Sequence, residues 1–153
     1  MEVSLRPLTH ENFMECWNLE ISEQQRQDAL LDDMHTILKD AVEEKELIKL
    51  VIFDDTANVA VGFAQIRGWP DHLTYDIGKF LIGEKFQRKG FGTAALRKII
   101  ADLFAKPDCQ KITVTYMFFN ESAEPFYQKL GFVVIEDENG FIHTELTRNG
   151  LTG

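Results

Sequence analysis

The sequence predicts a single α/β domain built on a mixed β-sheet. Segments rich in β-branched and aromatic residues alternate along the chain with segments whose apolar residues recur at helical spacing. Two β-rich segments, residues 47–53 and 59–67, flank a short polar turn and therefore predict an antiparallel hairpin. Residues 90–105 carry a clear apolar stripe of the helical period. Together these patterns indicate a sheet whose faces are covered by helices.

Length and composition favour one folded domain and argue against several function classes. The chain has 153 residues, of which 44% are hydrophobic and 27% charged, as in ordinary globular domains. Its 16 Lys and Arg against 25 Asp and Glu give a net charge of −9, so a nucleic-acid partner is not expected. The same charge would attract cationic small molecules, although many acidic proteins carry it only for solubility.

Neither a membrane segment nor a secretory leader is expected from the sequence. The longest stretch without charge, residues 56–66, is far shorter than the ~20 apolar residues that span a bilayer. The N-terminal residues lack an apolar segment behind a basic one. Cys16 and Cys109 lie far apart without zinc or disulfide spacing, so reduced thiols and a cytoplasmic location are expected.

The N-terminal half is predicted to contain a strand, two or three helices and the hairpin. Residues 3–8 form the strand, and residues 12–19 form a helix for which Thr9 is the candidate N-cap. Residues 23–46 are polar with apolar residues at helical spacing, which indicates one or two amphipathic helices. The hairpin follows, with its turn at residues 54–58.

The strand after the hairpin is predicted to contain a β-bulge at Gly78. Tyr75 and Ile77 alternate on one face, whereas Phe80 and Ile82 follow with the opposite parity. An extra residue at a glycine shifts the alternation by one position. We therefore expect this strand to bend at Gly78.

The C-terminal half is predicted to alternate helices and strands. The stripe of residues 90–105 forms a helix that ends before Pro107, and residues 111–119 form a strand. A short helix follows, capped by Asn120 or Ser122 and ended by Gly131. The last two strands form a hairpin across residues 137–140: residues 132–135 and residues 141–146.

The most informative segment is the glycine-rich turn before the strong helix, with the sequence Gln-Arg-Lys-Gly-Phe-Gly-Thr at residues 87–93. Such a turn presents unpaired backbone N–H groups at the positive end of the helix dipole, and Arg88 and Lys89 add charge. It lacks the Gly-Lys-Ser/Thr of a Walker loop and the third glycine of a dinucleotide fingerprint. The pattern alone therefore predicts either an anion-binding turn or a purely structural one.

At this segment the chain resembles the GNAT acyl-CoA N-acyltransferases. Their signature, Gln or Arg, two residues, Gly, one residue, and Gly or Ala, is matched by Gln87, Gly90 and Gly92. A second block of that family, Asn followed by a helix ending Tyr-x-x-Leu-Gly-Phe, is matched by Asn120, Tyr127, Leu130, Gly131 and Phe132. The resemblance extends over nearly the whole chain.

The resemblance implies a GNAT-like fold and acetyl-CoA as cosubstrate. In that fold a central mixed, twisted sheet has helices on both faces, and acetyl-CoA lies between two splayed parallel strands, one of them bulged. Backbone groups of Phe80, Leu81 and Ile82 would bind its pantetheine arm, with Asn120 beside the same arm. The pyrophosphate would lie on the amides of the turn, which consists of Gln87, Arg88, Lys89, Gly90, Phe91, Gly92 and Thr93.

The resemblance also implies a catalytic role for Tyr127, as the phenol that protonates the departing CoA thiolate. By position alone, Tyr127 is equally an ordinary core tyrosine on the apolar stripe of its helix. The base that deprotonates the acceptor amine is not assigned, because Gly78 stands where some polyamine acetyltransferases are thought to carry a carboxylate. The candidates near the acceptor are Glu20, Glu23, Asp76 and, through water, Tyr75, each with the alternative of a solvated or structural residue.

Within the family, residues 19–24 and 75–92 are most similar to bacterial diamine, spermine and spermidine acetyltransferases. A small polycationic amine is therefore the expected acceptor. Another small amine, protein N-termini or lysines, and a non-catalytic acyl-CoA-binding module remain alternatives, and a homodimer is expected from the family alone. No metal is expected, because the four histidines lack ligand spacing: His10, His35, His72 and His143.

Overall fold

A computed structural model describes residues 1–151 of the chain, with side chains to residue 149. The strands are β1 (Val3–Pro7), β2 (Ile48–Asp54), β3 (Val59–Trp69), β4 (Thr74–Ile82), β5 (Lys111–Met117), β6 (Val133–Glu138) and β7 (Phe141–Thr147). The helices are α1 (Phe13–Trp17), α2 (Glu23–Ala29), α3 (Met34–Glu43), α4 (Phe91–Phe104) and α5 (Ala123–Lys129), and short 3₁₀ turns follow β3, β4 and β7.

The strands form one mixed sheet in the order β1-β2-β3-β4-β5-β7-β6. Neighbouring strands are antiparallel except β4 and β5, which are parallel and are joined through α4. A parallel pair requires a long crossover because the chain must return to the same end of the sheet. The predicted mixed α/β architecture is confirmed.

Helices cover both faces of the sheet. Adjacent residues on a strand point to opposite faces, and Phe63 and Ala64 of β3 accordingly belong to different buried clusters. Phe63 packs with α1 and α3, which contribute Cys16 and Ile37. Ala64 belongs to the cluster of α4, against which α5 also packs. The sheet is therefore buried between two helical layers at β2, β3 and β4.

The predicted bulge in β4 is confirmed. Gln65 pairs with Lys79 but the next residue of β3, Ile66, pairs with Ile77, which leaves Gly78 as the extra residue. This insertion keeps the apolar side chains before and after it on the α4 face of the sheet: Tyr75, Ile77, Phe80 and Ile82.

The polar segment before the hairpin forms two helices, each with its own cap. Ser22 caps α2 in a capping box with Gln25, and the Asp33 side chain accepts from the Thr36 N–H at the start of α3. The prediction that Thr9 caps α1 is wrong. Asn12 is the N-cap residue, and its side chain accepts from the Thr9 N–H instead.

The turn of the last hairpin also differs from the prediction. β6 continues to Glu138, and the turn is the dipeptide Asn139-Gly140, in which both residues have positive φ, 53° and 88°. Such left-handed pairs form the tight two-residue turns that match strand twist. Residues 136–138 extend β6 despite their charge because β6 is an edge strand whose side chains are exposed.

Two further expectations concern thiols and membranes. Cys16 and Cys109 are both free thiols, and both are buried. Within the part of the chain that the structure describes, no helix has the length and apolar character needed to cross a bilayer.

Candidate active site

The site is formed where β4 and β5 separate. These parallel strands pair at only three positions, the last of which joins Asp76 to Thr113. The bulge at Gly78 follows directly, and no ladder joins the two strands beyond it. Backbone groups of β4 that point into the gap therefore have no strand partner, and an extended ligand can pair with them as a strand would.

A cavity of about 200 Å³ lies in the gap between the two strands. Its walls come from the two separating strands, from α5 and from the two loops that approach the gap. The lining residues are Ile77, Gly78, Lys79 and Phe80 of β4, Val114, Thr115, Tyr116 and Met117 of β5, Ala29 at the end of α2 with Leu30 and Leu31 after it, and Asn120, Tyr127 and Phe141. Of the predicted site residues, Phe80, Asn120 and Tyr127 are brought together here.

Tyr127 lies in this wall within a group of aromatic rings. Its ring stacks on Tyr116 with centroids 5.9 Å apart and contacts Phe126 and Phe132 edge-on. Among the described residues, nothing hydrogen-bonds to its hydroxyl group. Burial raises the pKa of Tyr127 to about 12, so the phenol is protonated at neutral pH. The ring is held by packing while the hydroxyl is available to a ligand.

The predicted pantetheine contacts lie along the end of β4. Phe80 lines the cavity, whereas the side chains of Leu81 and Ile82 are buried in the two cores. The carbonyl of Ile82 accepts from the side-chain amides of both Gln25 and Gln87. The first of these amides ties α2 to the end of β4, and the second fixes the start of the glycine-rich turn.

The glycine-rich turn has the geometry of an anion site. Arg88 and Gly90 have φ of +61° and +92°, and Gly90 caps α4 without a side-chain hydrogen bond. The first N–H groups of a helix have no intrahelical acceptor, and they lie at the positive end of its dipole. Arg88 and Lys89 are exposed beside them. The turn therefore offers backbone donors and two cations to a phosphate group.

This turn lies close to α5, which carries Tyr127. A Cβ built on Gly92 would lie 3.7 Å from both Ile82 Cγ1 and Phe126 Cζ. Phe126 directly precedes Tyr127 and packs against the Phe80 ring. Of the remaining residues of the turn, Phe91 is buried and Thr93 is exposed. A ligand that binds the turn through phosphates can thus extend past Phe80 into the cavity.

The candidate acceptor residues are not all near the cavity. Glu20 and Glu23 are exposed before α2 and in its first turn, at the opposite end of that helix from the cavity loop. Tyr75 is buried on the α4 face, where its hydroxyl donates to Asp108 at 2.9 Å. Neither these acids nor Tyr75 line the cavity.

Asp76 lies closer, on the sheet face opposite Tyr75. Its Oδ1 accepts from Thr113 Oγ1 at 2.6 Å, and its Oδ2 would lie 3.8 Å from a Cβ on Gly78, a cavity residue. Burial raises the pKa of Asp76, although the hydrogen bond from Thr113 opposes that shift. Asp76 is thus a partly desolvated carboxylate. It directly precedes the cavity residue Ile77 on β4, and its partner Thr113 directly precedes the cavity residue Val114 on β5.

Several residues of the cavity were missed by sequence reasoning. Leu30, Thr115 and Phe141 come from separate parts of the chain and match no motif. Leu30 has a φ of +51°, which residues other than glycine adopt rarely. Because the residue at this position is neither glycine nor asparagine, the sequence does not signal the turn. The threonines of β5 were the available signal, because Thr113 and Thr115 alternate with apolar residues.

Glu136, Glu138 and His143 have side-chain N and O atoms within 4.8 Å of one another. Exposed groups at such distances are common without an ion, so this cluster by itself does not indicate a metal site.

Comparisons with known proteins bear on the whole chain. A family model described as the acetyltransferase (GNAT) family matches residues 4–132. No sequence among the curated proteins matches the chain significantly.

Solved structures of similar fold include three acetyltransferases. The fold is similar to a spermidine N-acetyltransferase from Vibrio cholerae in complex with CoA and spermine (TM-score 0.78, 15% identity, 99% of this chain and 98% of that chain). It is also similar to an aminoglycoside acetyltransferase in complex with coenzyme A (TM-score 0.76, 18% identity, 99% and 98%). An N-acetyltransferase from Thermoplasma acidophilum in complex with coenzyme A matches at a TM-score of 0.71 (16% identity, 96% and 99%). At these identities the likeness shows the shared fold.

Proposed function

The chain belongs to the acetyltransferase (GNAT) family, and we propose that it acetylates a primary amine of a small acceptor that carries more than one positive charge. Acetyl-CoA is the cosubstrate, and the amine attacks it directly in a ternary complex. Spermidine, spermine and diamines are the acceptors of first choice. The solved spermidine N-acetyltransferase of similar fold carries CoA and spermine, which supports this choice.

The observation that carries the proposal is the continuity of the anion-binding turn with the cavity. Backbone donors at the start of α4 suit the pyrophosphate, and the unpaired edge of β4 suits the amide groups of the pantetheine arm. Phe126 lies between Gly92 and Tyr127, so the arm would end at the phenol. Gln87, Gly90, Gly92, Asn120 and Tyr127 are the residues to which we assign cosubstrate binding and catalysis.

Tyr127 would assist departure of the CoA sulfur. A thiol has a pKa of about 8.5 in water, whereas burial raises that of the Tyr127 phenol to about 12. Complete proton transfer from phenol to thiolate is therefore uphill. A hydrogen bond from the phenol that strengthens as charge develops on sulfur stabilises the transition state without that transfer. Tyr127 would accordingly share its proton with the sulfur.

The acceptor would enter from the sheet face that carries Asp76 and Thr115. On this face β7 and β6 carry exposed or half-buried carboxylates, among them Glu145 and Glu138. Lys79, which lines the cavity from β4, would repel a distal ammonium group on that side. We therefore expect a polycationic acceptor to extend over β5 and β7. Glu20 and Glu23 stay predictions for a longer acceptor.

A thiol-release assay with acetyl-CoA tests the proposal. The acceptor panel contains spermidine, spermine, a diamine, kanamycin, a monoamine of matched length, a lysine peptide and a peptide with a free N-terminus. We expect the highest kcat/KM with the polyamines, because each added ammonium group can pair with a further carboxylate. Mass spectrometry of the product verifies addition of one acetyl group to an amine.

Other outcomes would separate the alternatives. Turnover restricted to a peptide or to the monoamine would reject the polycationic acceptor but leave the acetyltransferase assignment intact. Calorimetric binding of CoA without thiol release for any acceptor would instead indicate a non-catalytic acyl-CoA-binding protein.

A further inference from the structure

A hydroxyl, an imidazole and a carboxylate lie in series at the acceptor side of the cavity. Thr115 lines the cavity, and its Oγ1 lies 2.9 Å from Nδ1 of His143. The other ring nitrogen of His143, Nε2, faces Glu138 Oε2 at 3.7 Å. A hydroxyl bonded to a base that is itself oriented by an acid is the arrangement by which enzymes move a proton at a reacting group.

Strand register holds the three groups in place. Thr115 and His143 are direct cross-strand partners on β5 and β7, so their side chains lie on one face. β6 carries a bulge between Val134 and Glu136, which makes Glu136 the partner of His143 and Glu138 the partner of Phe141. Without that bulge Ile135 would face the imidazole. The bulge therefore determines that acids surround His143.

We propose that Thr115 and His143 take up the proton of the acceptor ammonium group, an inference that rests on the proposed function. The amine needs a free lone pair to attack, and the base for this step has no assignment from the family pattern. Thr115 would contact the amine, and His143 would act through Thr115. The cavity of about 200 Å³ has both Thr115 and Tyr127 in its walls, so one small space holds the donor and acceptor ends of the reaction.

The proton balance is complete within these groups. The carboxylate of Glu138 favours the tautomer with hydrogen on Nε2, which leaves Nδ1 to accept from the Thr115 hydroxyl. The ammonium gives a proton to Thr115 Oγ1 as the Thr115 hydroxyl gives its own to Nδ1. The neutral amine then forms the N–C bond, the C–S bond breaks, and the electron pair leaves with sulfur, which is stabilised by the Tyr127 hydroxyl. The second proton, lost by the attacking nitrogen as the amide forms, ends on that sulfur, so the products are the amide and the CoA thiol. His143 is half-exposed and returns its proton to water.

Four carboxylates and one lysine lie around His143. Glu138 and Glu136 approach from β6, Asp76 from β4, and Glu145 lies two residues further along β7. Lys111 of β5 pairs with Glu145 at 3.5 Å, which offsets part of that charge. Asp76 takes no part in this chain of hydrogen bonds, because its Oδ1 accepts from Thr113 and its side chain does not line the cavity.

The test is the pH profile of kcat/KM for the best acceptor, measured with EDTA present so that no metal ion competes for the imidazole. We expect wild-type kcat/KM to fall on the acid side, because the imidazole must be neutral to accept a proton. His143→Gln and Thr115→Val should lower kcat/KM at neutral pH by about 100-fold and flatten that limb. Thr115→Ser keeps the hydroxyl group and should restore the limb that Thr115→Val loses.

Controls separate this proton path from a structural role. CoA affinity by calorimetry and circular dichroism should be unchanged in all three variants, since Thr115 is exposed and His143 is half-buried. A wild-type profile in His143→Gln would overturn the inference, and loss of the limb in Asp76→Asn instead would assign the base to Asp76. Lack of thiol release by the wild-type protein would overturn the proposed function, and this inference with it.

Discussion

Tyr127 combines a fixed ring with an unbonded hydroxyl group. Three neighbouring aromatic rings hold its position, while nothing among the described residues bonds its oxygen. Buried tyrosines ordinarily find a hydrogen-bond partner for the hydroxyl. Tyr127 is partly buried and faces a cavity without such a partner, so its hydroxyl is suited to donate to a ligand there.

Tyr127→Phe should lower kcat by about 100-fold and leave CoA affinity within a few-fold. The substitution removes only the hydroxyl, so the ring packing and the fold persist. Steady-state kinetics and calorimetry measure the two effects. Tyr116→Phe is the matched control, because Tyr116 stacks on Tyr127 and lines the same cavity. Near-normal turnover of Tyr127→Phe together with reduced thermal stability would make Tyr127 a packing residue.

At the scale of elements, the junction between β4 and α4 forms the proposed cosubstrate site. Gly78 bends β4 away from β5, and Gly90 reverses the chain with a φ of +92° so that α4 can begin. Any L residue in place of Gly90 would strain the backbone and lower the stability of the fold by about 1 kcal/mol, whether or not a ligand binds. Gly92 has an ordinary φ and only van der Waals neighbours, so it is the better position for a test of binding.

Gly92→Glu should raise the Kd for CoA by at least roughly 100-fold, because it places a carboxylate among the backbone donors of the turn. Calorimetry measures the affinity and circular dichroism the fold. Ala101→Glu adds the same charge at an exposed position of α4 far from the turn and should change the Kd little. A folded Gly92→Glu protein with unchanged affinity would show that CoA does not bind at this turn.

At the scale of the whole molecule, the net charge of −9 is distributed unevenly around the site. Arg88 and Lys89 belong to the turn proposed for phosphates, whereas acids surround His143 on the opposite side of the cavity. The two proposed substrates have opposite charges, and each would approach a surface of complementary sign.

KM for a polycationic acceptor should rise several-fold between about 0.1 and 1 M salt, while KM for a matched monoamine should change little. Screening shortens the range of charge interactions from about 10 Å to about 3 Å over this interval, and exposed pairs contribute only about 0 to 1 kcal/mol each. Several weak pairs together are therefore sensitive to salt. Equal salt dependence for both acceptors would reject charge pairing as the basis of selection.

The sequence by itself determined the features that depend on local chemistry. The helical stripe of α4, the glycines of its preceding turn and the parity change at Gly78 are all short-range signals, and the structure contains each of them at the expected place. The motif that contains Tyr127 was equally readable. The missed Asn139-Gly140 turn was a local signal too, hidden by the charges of the exposed edge strand.

Only the tertiary structure decided which side chains share the cavity. Leu30, Thr115, Tyr127 and Phe141 are distant in sequence and meet because β4 and β5 separate. Likewise, the sequence around His143 does not indicate a role for it, since its partners Thr115 and Glu138 lie on other strands. Strand register and bulges fix such pairs, and a register shift of one residue turns every side chain to the other face. That choice is made by packing across the whole sheet, so no single segment of sequence contains it.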